Sequence, residues 1–202
     1  MSPQERFLGF ARSRGAPDEV AERWWREVEA RYREKHRHYH TLAHIEQVLD
    51  VLPHADETVV AAAWFHDVIY DGNDNEERSA LLAREALAEL RFPADEIERV
   101  AAMILATKKH DASGLSATEQ AFLDADLSIL GTDPARYQAY VVGVRKEYAH
   151  VPDLLFRPAR NRILRAFLER PRIYFTDPFF DAYEQRARAN VEAEISGSFP
   201  IP

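Results

Sequence analysis

The sequence predicts an all-α protein, one domain of roughly nine helices spanning residues 1–202. Three observations carry this expectation. Apolar residues recur three and four apart along most of the chain. Helix-starting Asp, Ser, Thr and Pro, and helix-stopping Gly and Pro, punctuate it at short intervals. No alternating apolar–polar stretch of useful length is present, and no internal repeat.

The elements follow in order. Pro17-Asp18-Glu19 reads as a first helical turn, with Val20, Trp24, Val28 and Tyr32 as one stripe. Thr41 caps a helix carrying Ile45, Val48, Leu49 and Leu52, which Pro53 ends. Asp56 opens a helix from Val59 to about Ile69, apolar almost all round and therefore central. Asp71-Gly72-Asn73 marks a turn between Tyr70 and Asp74, and Asp74 or Asn75 caps a helix to about Leu90. Pro93 starts the next, with Ile97, Val100, Ile104 and Leu105 inward. Ser116-Ala117-Thr118-Glu119 is a capping box for a helix bearing Phe122, Leu123, Asp126, Ile129 and Leu130, closed by Gly131. Asp133-Pro134 starts another, through Tyr137, Tyr140, Val141 and Val144. Pro158 interrupts the following segment and Pro171 ends it; Asp177-Pro178 opens a last helix to about Ile195.

Composition narrows the function. Apolar residues at 46% and charged residues at 30% fit a soluble globular chain. Apolar runs such as Val59 to Phe65 fall far short of the ~18 residues a membrane span needs, so no membrane partner is expected. The start of the chain, with Gln4-Glu5-Arg6, has no apolar stretch like a signal peptide, and a cytoplasmic location is expected. There are no cysteines, which removes disulfides, thiolate zinc sites and thiol nucleophiles together. Any divalent metal ion must then sit on His and carboxylate ligands, which suit Mn, Mg, Co, Ni, Fe or Zn. A net charge of −8 without a basic run argues against a polymeric nucleic-acid partner. A small anionic substrate stays compatible, because a bound metal inverts the local field. Trp24-Trp25 and Phe179-Phe180 fit a homodimer surface and a core equally well.

Three features bear on chemistry. His66-Asp67 ends the apolar helix. A buried carboxylate there requires a cation or a full set of donors, although a helix-end His beside a capping Asp is also an ordinary pair. His40 and His44 lie four apart, which on a helix puts both imidazoles on one face; the alternative is a surface pair on the basic, solvated segment Lys35 to His40, which suits His36 and His38. Asp126 lies among Leu123, Ile129 and Leu130. Asp124, about 160° round the same helix, fits an ordinary exposed Asp.

A His on one helix, a His-Asp pair on a later one and a distant Asp on another resemble the HD-domain superfamily of metal-dependent phosphohydrolases. By motif the resemblance covers about residues 36 to 132. It implies an HD-like fold, with His44, His66, Asp67 and Asp126 as metal ligands and a metal-activated water that attacks a small phosphate ester, a nucleotide among the candidates. Tyr39-His40-x-x-x-His44 is similar to the motif of cyclic-nucleotide phosphodiesterases in that superfamily. It implies that His40 is a general acid to the leaving oxygen, a role an imidazole titrating near 6.5 can fill. Thr41 stands where those enzymes carry Asn, so cyclic-nucleotide activity does not follow. Val68-Ile69-Tyr70 replaces the Gly-Lys continuation common in the family, and the extra histidines of a full second metal site are not evident.

Glu76 and Glu77 are candidates to hold a water, against ordinary first-turn helix-dipole chemistry. Lys109 and His110, after Lys108, are candidates to meet a substrate phosphate, against ordinary cations at a helix end. Asp71 reads as a turn residue, and Arg157, Arg160 and Arg162 as surface. Two other readings compete with the hydrolase: an HD-fold di-iron oxygenase, which needs more histidine ligands than the chain offers, and a non-catalytic metal-binding helical domain.

Overall fold

Helix starts fall where the sequence places proline or a short oxygen-bearing side chain. In this computed structural model, which describes residues 1–52 and 54–199, the elements are α1 (Pro3–Arg12), α2 (Asp18–Tyr32), α3 (Leu42–Asp50), α4 (Glu57–Phe65), α5 (Asn75–Glu89), α6 (Ala94–Thr107), α7 (Ala117–Asp126), a 3-10 turn (Leu127–Gly131), α8 (Pro134–Glu147), α9 (Asp153–Leu168) and α10 (Asp177–Ile195). No strand occurs among the described residues. The Asp56 carboxylate accepts the amides of Thr58 and Val59, both at 3.0 Å, and Asp133 accepts those of Ala135 and Arg136. Pro17, Pro93 and Pro152 precede α2, α6 and α9. Glu119 accepts the amide and hydroxyl of Ser116, at 2.7 and 2.8 Å.

The chain divides into two compact units. One holds residues 1–34 and 40–123; the other holds residues 35–39 and 124–202. The division falls inside α7.

In the first unit α4 is the core element, as its all-round apolar pattern predicts. Thr58, Val59 and Ala61 through Phe65 are buried, and α1, α3, α5 and α6 pack around the helix. Trp64 sets edge-on contacts with Phe7 and Trp25, at centroid distances of 5.2 and 6.3 Å. The Tyr32 hydroxyl donates to the Trp64 carbonyl at 2.9 Å. Burial of each large side chain here is worth roughly 1.5–3 kcal/mol.

In the second unit the 3-10 turn packs on α8 and α10. The approach is close: a Cβ on Gly131 would lie 2.6 Å from the Tyr183 Cβ. Asn190 donates to the carbonyls of Leu130 and Thr132, which fixes the turn against α10.

Several expectations are corrected. There are ten α-helices among the described residues, and α1 was not anticipated, although Ser2 and Glu5 form its capping box. α3 ends at Asp50, before Leu52; Pro53, the expected stop, lies outside the described residues. α4 ends at Phe65 rather than near Ile69, because the Ser79 hydroxyl of α5 binds both the amide and the carbonyl of Ile69 and draws the chain off the helical path. Leu105 is 39% exposed, one step past the buried face of Val100, Ala101, Met103 and Ile104. Pro158 lies inside α9 without interrupting it. It is the sixth residue, so its missing N–H forfeits only the bond to Leu154, in a first turn where Leu154 is exposed. Trp24, Trp25 and Phe179 are buried. Among the described residues no helix is long and apolar enough to cross a membrane.

Candidate metal centre

Four of the expected residues meet within the first unit: His40, His44, His66 and Asp67. His44 lies in the first turn of α3, whose buried Ile45, Val48 and Leu49 seat the helix on α4. Its imidazole is buried on that side. His66 caps the C-terminal end of α4 and is also buried. Asp67 follows directly, with its side chain 17% exposed.

The orientation of His66 is set from behind. Its Nδ1 lies 3.0 Å from the Ala63 carbonyl, which can only accept, so Nδ1 carries a proton, and in the neutral ring Nε2 then presents a lone pair. Phe122 packs edge-on against the ring at 5.5 Å. His66 Nε2 lies 3.2 Å from His44 Nε2 and 3.2 Å from Asp67 Oδ2, and His44 Nε2 lies 3.6 Å from the same oxygen. These separations match the edges of a coordination polyhedron. With metal–ligand bonds of about 2.1 Å, adjacent ligand atoms stand about 3.0 Å apart in an octahedron and about 3.4 Å apart in a tetrahedron. Two imidazole nitrogens and a carboxylate oxygen so disposed could hold a metal ion, and this donor chemistry admits several ions without naming one.

His40 is not on a helix with His44. It precedes Thr41, the N-cap of α3, in a bend. Its Nε2 nevertheless lies 4.0 Å from Asp67 Oδ2, and its ring stacks on Tyr70 with centroids 4.1 Å apart and planes inclined by 26°. Tyr70 was not singled out in the sequence. Its place three residues after Asp67, in a turn, was the only available signal.

Asp126 is the last residue of α7, half-buried, in the second unit. Asp124 overturns its expected role as an exposed helical Asp. It is fully buried, and its carboxylate accepts the amides of Phe175 and Thr176 and the Thr176 hydroxyl, at 2.7, 2.8 and 2.6 Å. Burial pushes its carboxyl above the usual Asp range, while these donors pull the other way. The segment before His40 is not fully solvated either. Arg37 is 5% exposed, and the His38 and Tyr39 amides donate to Glu147. His36 and His38 are exposed, as expected.

Glu77, in the first turn of α5, is ion-paired to Lys108 at the end of α6, and the Lys108 hydrogen bond holds its carboxyl below the usual range. Glu76 is half-buried beside it. Lys109 is exposed. His110 is half-buried with φ of 44°, a left-handed conformation uncommon outside glycine. Asp71 pairs with Arg78 in the turn. Arg157 and Arg162 are exposed. Arg160 is not a surface residue: its side chain is 13% exposed and bonds Glu194 and the Tyr140 hydroxyl.

Compared with known proteins, the chain matches no family model, no curated protein and no solved structure.

Proposed function

We propose that this protein is a metal-dependent phosphohydrolase that cleaves a small phosphate ester, a nucleotide among the candidates. The observation that carries the reading is the convergence of His44 Nε2, His66 Nε2 and Asp67 Oδ2 at 3.2–3.6 Å, with His66 held in the tautomer that faces its lone pair inward. Asp126 is the fourth ligand in this reading, on the sequence pattern. A divalent ion held by these residues supplies acidity to a water and draws charge from phosphoryl oxygens.

The remaining roles fall to the chain's own groups. His40 donates a proton to the leaving oxygen; its Nε2 stands 4.0 Å from Asp67 Oδ2, outside the tighter three-atom cluster, as a proton donor beside rather than among ligands requires. Buried Phe122 packs edge-on against the His66 ring and shields that face of it from water. Lys109 and His110 are assigned to the substrate phosphate, and Glu77 to a water.

The test is metal analysis of the purified protein, followed by a phosphoester panel with added Mn, Co, Ni, Mg or Zn. Turnover that depends on the ion is expected, and Asp67→Ala abolishes bound metal and turnover together. Undiminished turnover in Asp67→Ala sinks the assignment. An iron chromophore that consumes dioxygen replaces the hydrolase with an oxygenase.

A further inference from the structure

We infer that Tyr70 is a positioning residue for His40, holding the imidazole plane so that Nε2 stays aimed at the Asp67 side of the cluster. The inference rests on reading His40 as the proton donor.

His40 lies in a bend ahead of α3, where no helical backbone fixes its ring. Tyr70 lies in a turn that is fastened to α5 at three places. The Ile69 amide donates to Ser79 Oγ at 3.1 Å, and Ser79 is fully buried. The Asp71 and Gly72 amides both donate to Asn75 Oδ1, at 3.0 and 2.9 Å. The Asp71 carboxylate pairs with Arg78. Val68 and Ile69, buried just before Tyr70, anchor the turn from the inside.

The phenol ring is therefore presented by a fixed backbone, and it stacks nearly parallel on the His40 imidazole. A stacked neighbour resists rotation of the imidazole out of plane, leaving Nε2 on the side where Asp67 lies. The flat face does the holding.

Two measurements test this on the full chain. The first is independent of turnover: the His40 Cε1–H proton resonance in the metal-free protein. Ring current from Tyr70 shifts it upfield; Tyr70→Phe keeps that shift and Tyr70→Leu removes it. The second uses the phosphoester substrate and the ion that support turnover. Tyr70→Leu lowers kcat about tenfold with KM and bound metal little changed, and Tyr70→Phe recovers most of the loss. In a His40→Ala background, Tyr70→Leu causes no further fall, because the two act as one unit. If Tyr70→Leu does not fold, Tyr70→Met carries the same expectations. A His40 resonance indifferent to Tyr70, equal losses in the Phe and Leu variants, or additive losses with His40→Ala each overturn the inference. If no ion supports any turnover, the phosphohydrolase reading fails, and the resonance measurement alone still decides whether Tyr70 holds His40.

Discussion

Carboxylates held away from solvent meet two kinds of surroundings in this protein: most, Glu119 of the first unit among them, face donors, and Asp67 faces imidazoles. In the second unit four buried carboxylates look into hydrogen donors: Glu147 takes the His38 and Tyr39 amides, and three more do the same. Asp124 takes two amides and a hydroxyl; Glu184 takes the Ile173 and Tyr174 amides and the Arg188 guanidinium; Glu194 takes the Tyr137 hydroxyl and the Arg160 guanidinium. In the first unit the Asp67 carboxylate oxygen lies 3.2 Å from His66 Nε2, which carries a lone pair in the neutral ring, and His44 Nε2 lies the same distance from that nitrogen. A carboxylate ringed by donors is complete, and its work is to hold backbone in place. A carboxylate that converges with lone pairs brings acceptors onto one point, which a cation suits best. Burial of a charged residue therefore does not identify a site; the sign of the groups around it does.

Cutting a carboxylate from each set tests this contrast most strongly. Asp67→Ala is expected to remove all bound metal and all turnover while the denaturant midpoint of the metal-free protein stays near that of the parent. Asp124→Ala leaves two half-buried amides and a hydroxyl without their acceptor and is expected to lower stability by about 3 kcal/mol, read as a lower urea midpoint. If the stability loss falls on Asp67 instead, the distinction between the two units is wrong.

His40→Ala sharpens the first unit further. Metal is retained and kcat falls by about 10², the scale of a lost general acid. Loss of metal in that variant would make His40 a ligand.

The smallest expected effect concerns Asp56, which caps the helix that carries His66. Burial raises its carboxyl, but the Thr58 hydroxyl and the amides of Val59 and Thr58 outweigh this and hold it below the usual Asp range. A folded pKa below the unfolded one makes the cap fully stabilising above about pH 3.9, with that contribution lost as pH falls through the folded value. Asp56→Ala should cost about 1 kcal/mol near neutral pH, and urea midpoints of parent and variant should converge in acid. A constant difference across that range would assign the cost to something other than the ionised cap.

Much of the first unit was legible in advance. The all-round apolar pattern of residues 59–65 marked the central helix, and buried Trp64 and Phe65 bear that out. His66 and Asp67 fell where the pattern stopped. Less could be read from the polar groups of the second unit. Asp124 looked like a surface residue because its helix neighbours say nothing about the amides of Phe175 and Thr176. Arg160 looked like one because Glu194 is far along the chain.

The sequence by itself determined most of the helices, most of their starts and the metal-capable residue types, since these depend on neighbours three or four positions away. Only the tertiary structure decided which polar groups face donors and which face one another. That depends on partners brought together over long separations: His44 and His66 across 22 residues, and Asp124 and Phe175 across 51. No local periodicity encodes those distances, because each is set by how whole helices pack.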